Sequence, residues 1–495
     1  MENNQGNSNS SNKKITTANV HEILGKSSDI VIRQVYVGGL KTLPATLIFI
    51  DGLVSQDKIS EFVLKPLNEN QLLRNSINEK DALTKILDGA IYFATTKAVE
   101  KIDEVIKLMM SGYSCLIFDT ENKAIAFETK GYEKRSISAS TEETSFRGMK
   151  VAFLENLRDN TAILRMLIKT PNLCIEELSV GKQTNTVINV LYMQDICNPT
   201  FVDTVKSRLK SIDVDKALFL EDVIAYLSEK KFSLIPQVQI TEKPDHVAAG
   251  LLEGKVAIII EGIPYGLVMP LVANDVFQTV TGYGTNYIMS SSFRILSYSL
   301  FFISLVLPGF YVALTRFHIE MLPGSLAYAI AASKIDTPFP IHIEILVMLF
   351  TFFTLLQASS NTPSIISSTV AIVGGLVLGE AAITAKLVSP AVVVVVAGSA
   401  ISSLAIANTD ANMALWIYMV INVLLSTVLG IFGLAIGFLV LIYQLSKMEV
   451  LGVPFLSPYA GTKKFQIEDS FIRLPSNMLK YRPFYLEPKN KKRKK

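Results

Sequence analysis

One long stretch of this chain carries almost no charge. Between Phe293 and Tyr443 the sequence has only nine Asp, Glu, Lys or Arg residues, whereas the part before it is charged at an ordinary density. A stretch this long and this poor in charge favours apolar helices in a lipid bilayer, because ionised side chains are costly there. The sequence therefore predicts an α+β N-terminal region of two subdomains, followed by an all-α multi-pass membrane domain over 293–443.

Charge-free windows set the expected membrane spans. A bilayer core of ~30 Å needs about 20 apolar residues in a helix. Four windows come close to or exceed that length, whereas the helix expected over 341–358 has only 14 largely apolar residues, 345 to 358. This shorter helix is expected to lie in the membrane interface. The predicted spans are 295–315, 364–384, 387–407 and 413–443.

Lysine and arginine set the expected orientation. Residues 444–495 contain twelve of them against four acidic residues, while the loop at Asp410 contains none. Both ends of an even number of spans then lie in the cytoplasm, and Lys386 lies on the same side. Residues 444–495 are expected to form a basic, solvated cytoplasmic tail that contacts anionic lipid. Residues 1–14, rich in Asn and Ser, predict a disordered lead without a signal peptide.

The N-terminal region shows helix and strand patterns in two blocks. Residues 15–134 indicate one α+β subdomain and residues 146–290 a second. The apolar segment 254–272 has the length of a membrane helix, but Glu261 would then place a carboxylate in the bilayer. Two strands that turn at Glu261 avoid this cost, so a β-hairpin is favoured.

Small residues line one face of the second predicted span. At about 100° per residue, this narrow face carries only Ser, Ala and Gly, and Lys386 continues its line past the membrane end. Such a face permits close helix packing or leaves room for water, and from the residues alone packing is the stronger interpretation. The candidate pore-lining residues are Ser364, Ser368, Ala371, Gly375, Gly379, Ala382 and Lys386.

Charged residues beside the spans are candidates for coupling. Arg316 and Glu320 follow the first span, where interfacial anchoring through mutual salt bridges is favoured over a ligand role. Glu380 is an intramembrane carboxylate and therefore a functional candidate. It lies roughly 140° from the centre of the small-residue face, which favours pairing or a subunit seam over the pore centre.

Patterns typical of enzymes are missing from the sequence. The chain has no phosphate-binding glycine loop and no nucleophile elbow, and its four histidines lack partners at ligand spacing. Its three cysteines do not suggest a metal site or a disulfide framework. The net charge of +3 does not favour nucleic acid as a partner. We therefore expect neither an enzyme nor a cofactor.

Five segments together resemble one protein family. They are TEKPDHVAAGLLEGKVAIIIEGIPYGLVMPLV (241–272), LPGFYVALTRFHIEMLP (307–323), PFP (338–340), VAIVGGLVLGEAAI (370–383) and LGVPFLSPYA (451–460). In order and spacing they resemble the A subunit of the GerA-type spore germinant receptors of endospore-forming bacteria, from about Val31 to the tail. The resemblance implies a multi-pass protein of the spore inner membrane. It also implies two partners, a transporter-like B subunit that binds the nutrient and a lipoprotein C subunit.

The resemblance further implies a ring of copies, expected to be a pentamer, that conducts ions in response to nutrient. The small-residue face is then interpreted as the pore lining, gated by dewetting at Ala371 or Ala382. The family pattern keeps Glu344 as a coupling candidate, but 353–360 departs from it and Glu380 replaces a family glutamine. Because of these departures, a paralogue that amplifies the response is an alternative to a receptor subunit. A non-conducting scaffold for the nutrient-binding subunit and a secondary transporter are further alternatives, and no internal repeat supports the transporter.

Overall fold

The computed structural model describes residues 13–493, except for 26, 42, 132–148, 279–281, 283, 361–373, 376, 407, 461–468 and 476 and the side chain of Ser360. The chain divides into two compact units. The N-terminal unit comprises Met1–Glu229, Val238–Pro270 and Lys480–Lys495, and the helical unit comprises Lys230–Gln237 and Leu271–Leu479.

The first sheet of the N-terminal unit is antiparallel and buried on both faces. Its strands are β1 (Ile30–Tyr36), β2 (Pro44–Ile50), β3 (Thr96–Val99), β4 (Ser114–Phe118) and β5 (Lys123–Phe127). They lie in the order β1-β2-β4-β5-β3. Leu47 and Phe49 pack into one core, and Ile48 and Ile50 into another on the other side. Because side chains alternate along a strand, helices must cover both faces of the sheet.

The second sheet contains the hairpin that the sequence predicts over 254–272. Its strands are β6 (Leu173–Val180), β7 (Thr186–Met193), β8 (Gln239–Thr241), β9 (Val256–Ile260) and β10 (Gly266–Met269), in the order β6-β7-β9-β10-β8. Strands β9 and β10 pair antiparallel, with Ile258 opposite Leu267. Glu261 lies in the turn between them and is exposed. The structure therefore confirms the predicted hairpin and not the alternative of a membrane helix.

Short helices cover the two sheets. They are α1 (Thr17–Leu24), α2 (Gln56–Ile59), α3 (Lys65–Glu69), α4 (Gln71–Arg74), α5 (Glu79–Lys85), α6 (Ile102–Met109), α7 (Leu157–Leu167), α8 (Pro199–Lys210), α9 (Leu220–Leu227) and α10 (Pro244–Glu253). Tighter or wider turns lie at Val37–Gly39, Ser60–Leu64 and Ile86–Ala90. Helix α6 buries Ile102, Val105, Ile106 and Met109, which lie on one apolar stripe of the helix.

The helical unit contains long apolar helices. Its helices are α11 (Ala273–Phe277), α12 (Tyr287–Phe317), α13 (Gly324–Lys334), α14 (Ile341–Ser360), α15 (377–384), α16 (Pro390–Ser403), α17 (Thr409–Leu429) and α18 (Ile431–Ser446). Among the residues described, α12, α14 up to Ser359, and α17 are long and apolar enough to cross a membrane. An α+β region followed by a helical region is thus confirmed.

Two of the predicted spans and the predicted interfacial helix need correction. The span predicted over 413–443 is two helices, because Gly430 adopts φ 62° and reverses the chain between α17 and α18. The span predicted over 387–407 contains the helix Pro390–Ser403, whose 14 residues reach only about 21 Å. The helix predicted to be interfacial over 341–358 has 20 residues, so the short length on which that interpretation rested is wrong.

The expected side of Lys386 also needs correction. Helix α17 runs parallel to α12, because Ser304 contacts Met419 while Gly430 lies against Phe317. Helix α18 then returns to the end of the bundle where α12 begins. Lys386 instead pairs with Asp336, which lies in the chain beyond the other end of α12. Lys386 and residues 447–460 therefore lie at opposite ends of the helical unit, not on one side.

The C-terminal segment is folded where the structure describes it. Glu449–Val450 pairs with Val453–Pro454, and residues 480–493 pack within the N-terminal unit. There Arg482 donates from Nε to the carbonyl oxygen of Leu252 at 3.0 Å, and Arg493 pairs with Glu253 at 3.1 Å. The prediction of a solvated tail over 444–495 is corrected, because several of its basic side chains serve as donors to this fold.

Candidate functional site

Charged side chains gather at one end of the helical unit. Four of them lie in or beside the loops that connect α13 to α14 and α15 to α16, and they form two ion pairs. Lys334 pairs with Glu344, and Lys386 pairs with Asp336 although the two residues are 50 positions apart. The fold thus concentrates charge from the charge-poor segment at one polar end.

Glu344 is the most buried of these groups, with 1% of its surface exposed. It lies in the first turn of α14, where a helix N-terminus favours a carboxylate. Its Oε2 accepts hydrogen bonds from the N–H and the hydroxyl of Ser389, both at 2.9 Å, and its Oε1 accepts one from Nζ of Lys334 at 3.3 Å. Ser389 precedes the first residue of α16. One carboxylate therefore joins the ends of α13, α14 and α16, and its burial requires these donors.

Lys386 lies just past the end of α15, as the sequence predicts. Its φ is 56°, and the N–H groups of Lys386 and Leu387 donate to the carbonyl oxygens of Ile383 and Ala382 at 2.9 and 3.0 Å. This is the pattern of a helix end that usually has glycine at the left-handed position. The ammonium is 2.7 Å from Asp336, but the two side chains are 62% and 61% exposed, so the pair adds little stability.

The other two candidates near this end make few contacts. Arg316 Nη1 lies 3.4 Å from Nδ1 of His342, and its guanidinium is 5.4 Å from the ring of Phe317. Glu320 is exposed in the turn Ile319–Met321. Arg316 and Glu320 form no salt bridge with each other in the described structure. Mutual pairing, which the sequence favours for them, is therefore not observed.

The small-residue face is only partly described. Ser364, Ser368 and Ala371 lie outside the described residues. Ala382 is half-buried, and two glycines face other helices of the same chain. A Cβ on Gly375 would lie 3.7 Å from Leu355, and one on the buried Gly379 would lie 3.7 Å from Val393. This part of the face therefore packs against α14 and α16 of its own chain.

The opposite face of α15 is open. Val377, Glu380, Ala381 and Thr384 are all exposed, and their spacing places them on one stripe. Glu380 has no ion-pair partner in the part of the chain that the structure covers. A carboxylate on the open face of an apolar helix needs water or a neighbouring protein surface. The stripe is therefore the part of α15 that is available to another copy or to ions.

A cleft of about 550 Å³ in the N-terminal unit is lined by residues in or next to both sheets and by the start of α7. Its charged lining is mostly acidic: Asp29, Asp51, Glu155, Glu177, Glu261 and Arg158. The buried amide oxygen of Asn189, also in the lining, has no hydrogen-bond partner among the residues described. Asp29 and Asp51 are paired with Arg165 and Arg158, and the acceptors that remain suit a small ligand with cationic N–H donors. No sequence motif indicates this cleft, because its residues are spread over most of the unit.

Comparisons with known proteins give a consistent result over nearly the whole chain. A family model described as the Bacillus/Clostridium GerA spore germination protein matches residues 18–485. Spore germination protein KA of Bacillus subtilis (strain 168) is 36% identical over 452 residues, which cover 91% of this chain and 82% of that protein. Spore germination protein B1 of the same organism is 32% identical over 467 residues, 94% of this chain and 95% of that protein.

One solved structure also matches. It is the crystal structure of the N-terminal domain of the A subunit of the Bacillus megaterium spore germinant receptor GerK3. The match has a TM-score of 0.42 and 32% sequence identity, and it covers 52% of this chain and 96% of that one.

Proposed function

We propose that this chain, which belongs to the Bacillus/Clostridium GerA family of spore germination proteins, is the A subunit of a nutrient germinant receptor whose copies form an ion channel. The copies assemble as a ring, expected to be a pentamer, in the spore inner membrane. A transporter-like B subunit that binds the nutrient and a lipoprotein C subunit complete the receptor. The N-terminal unit and the C-terminal segment lie in the cytoplasm, and the chain signals without catalysing a reaction.

The open stripe of α15 is the observation that carries this proposal. An apolar helix that presents an unpaired carboxylate at Glu380 suits a ring, because each copy then places one negative charge beside a shared path. The small-residue face packs in part against its own chain, so we assign the path to the Glu380 side of α15. Rings of carboxylates favour cations, and the path is therefore expected to conduct monovalent cations.

The polar end suits the coupling step. Glu344 joins three helix ends, and Lys386 connects the end of α15 to the loop at Asp336. A movement of α13 or α14 caused by a partner subunit would reach α15 through these contacts. Because the ion pair between Lys386 and Asp336 is exposed and weak, it breaks and re-forms at little cost in free energy. The buried Glu344 network supplies the fixed point against which α15 moves.

Replacing Glu380 with glutamine tests the assignment. In spores that carry Glu380→Gln, we expect nutrient-triggered cation release to be slower by on the order of 10-fold. The reason is that the path loses the negative charges of Glu380 that attract the cations. Cation release from the spores is the measurement. Glu449→Gln, at an exposed carboxylate in a strand outside the long helices, is the matched control and should release cations normally.

Gly375→Leu in parallel spores tests the other face of α15. If it blocks release while Glu380→Gln does not, the path lies on the small-residue face and the Glu380 assignment is wrong.

A non-conducting scaffold is the second candidate, and the packing of Gly379 against Val393 favours it. In that case the chain positions the nutrient-binding subunit without forming a path. Liposomes that contain the purified oligomer separate the two functions. A leak of monovalent cations that Glu380→Gln reduces supports the channel, whereas tight liposomes that contain correctly assembled oligomer support the scaffold.

A further inference from the structure

The loop Lys230–Gln237 is a closed turn with an apolar tip. The N–H of Ser233 donates to the carbonyl oxygen of Lys230 at 3.3 Å, which defines a β-turn. The Gln237 side chain closes its base, since Nε2 donates to the Lys230 carbonyl oxygen at 2.8 Å and Oε1 accepts from the Lys230 N–H at 3.3 Å. Phe232 lies at the tip and is 102% exposed, and Leu234 is also exposed. The turn therefore presents these side chains on a defined backbone.

The turn is attached to the end of α18. Nζ of Lys230 donates to the carbonyl oxygen of Lys447 at 2.5 Å, and Oγ of Ser233 lies 4.0 Å from the sulfur of Met448. Lys447 is the residue that follows α18. Single exposed apolar residues are common on proteins, so the exposure of Phe232 alone does not indicate a function. Its position beside this helix end does.

The end of α18 is the edge of an apolar surface. Exposed apolar side chains run along the helix and stop one turn before its end; they are Phe432, Ile436, Leu439, Val440, Ile442 and Tyr443. Gln444, Ser446 and Lys447 follow and are exposed too. The ammonium of Lys447 lies 5.9 Å from the centre of the Tyr443 ring. Apolar residues followed by an aromatic ring and a lysine are typical of the boundary between bilayer and water.

We propose that the tip of this loop inserts into the lipid interface beside α18 and anchors the protein to an anionic phospholipid surface. Phe232 and Leu234 enter the boundary between headgroups and acyl chains. The exposed ammonium groups of Lys231 and Lys447 face the headgroups, whose negative charge attracts them. The chain on both sides of the loop, at Glu229 and Val238, belongs to the N-terminal unit. The anchor therefore restrains that unit at two points of its chain.

Tryptophan fluorescence tests the proposal in the full-length protein. Phe232→Trp is made in a Trp416→Phe background, since Trp416 is the single native tryptophan. The protein is placed in nanodiscs of phosphatidylglycerol and phosphatidylcholine. Because an interfacial side chain lies about 5–10 Å into the boundary, lipids brominated near the top of the acyl chain should remove most of the introduced fluorescence. Lipids brominated near the chain end should remove less, and acrylamide should remove little.

Tyr92→Trp in the same background is the matched control, because Tyr92 is also exposed and, among the described residues, makes no hydrogen bond to an apolar helix. Its indole should respond to acrylamide and not to bromolipids. Equal acrylamide quenching at both positions would overturn the proposal. Protection of position 232 from both quenchers would also overturn it, since another protein surface would then cover the loop.

A second measurement avoids the change at Trp416, which is buried against Phe353. The native cysteines Cys115, Cys174 and Cys197 are all buried, so a dye that senses polarity will label Phe232→Cys selectively. We expect the emission of the dye to shift to the blue in nanodiscs relative to the same dye on Tyr92→Cys. Identical emission at the two positions would contradict insertion.

Discussion

A single buried carboxylate holds the polar end of the helical unit together. Glu344→Ala removes the acceptor for two Ser389 donors and for Lys334, and leaves them without their partner. Breaking a buried pair costs roughly 3–5 kcal/mol, and the partly exposed Lys334 reduces this, so we expect a loss of about 2–3 kcal/mol in the free energy of unfolding. Glu344→Gln keeps an acceptor for Ser389 and should lose about half as much. Thermal unfolding of the full-length protein in detergent is the measurement.

Lys386→Gln is the contrasting change at the same end. Like Glu344→Ala, it removes an ion pair between a lysine and a carboxylate, but both side chains of this pair are mostly exposed. The unfolding free energy should therefore change by less than about 1 kcal/mol. Equal losses for Glu344→Ala and Lys386→Gln would show that burial does not distinguish the two pairs.

The elements of this fold differ in how well the sequence predicts them. The hairpin β9–β10 is predictable because Glu261 at its centre makes a membrane helix expensive. The division of 413–443 into α17 and α18 is not, because a charge count does not detect the reversal at Gly430. The length of α14 is missed for a related reason: Gln357 and the serines after it do not interrupt a helix, although they end an apolar window.

Close contact between α17 and α18 depends on glycine. A Cβ on Gly437 would overlap Oδ1 of Asn422, a side chain that also donates to the Leu305 carbonyl oxygen of α12. Gly437→Ala should therefore force the two helices apart and cost about 1–3 kcal/mol in unfolding free energy. Thermal unfolding in detergent measures the loss.

Gly398→Ala is the matched change in α16. Its Cβ would lie 3.8 Å from Leu307, an ordinary contact, so the better helix propensity of alanine should leave stability unchanged or raise it. A loss equal to that of Gly437→Ala would mean that close approach is not what the glycine at 437 provides.

At the scale of the whole molecule, the family and the two-part architecture follow from the sequence, whereas the places where distant residues meet do not. The pairs Lys334–Glu344 and Lys386–Asp336 require the loops to fold back on each other. The lining of the acidic cleft combines Asp29, which precedes β1, with Glu177 on β6 of the other sheet. Neither arrangement leaves a periodic or spaced signal in the chain. Composition was misleading in one case: the basic C-terminal segment has the charge of a free tail and the contacts of a folded one.

Residues 480–493 of the C-terminal segment pack within the N-terminal unit, and removing them should therefore destabilise that unit. Arg482 donates to the carbonyl oxygens of Leu252, Asn490 and Lys492, and the N–H of Lys489 donates to that of Ile196 at 2.9 Å. At about 1 kcal/mol for each hydrogen bond to the rest of the unit, including Arg493 with Glu253 and Nζ of Lys489 with the carbonyl oxygen of Gln194, deletion of 480–495 should cost roughly 4 kcal/mol. That loss should lower the Tm for unfolding of the N-terminal unit by several degrees.

The double substitution Lys491→Gln with Lys492→Gln is the control. It removes positive charge, keeps the backbone and should leave this Tm unchanged. If the double substitution lowers the Tm as much as the deletion does, the segment acts through its charge and not through the contacts that complete the fold.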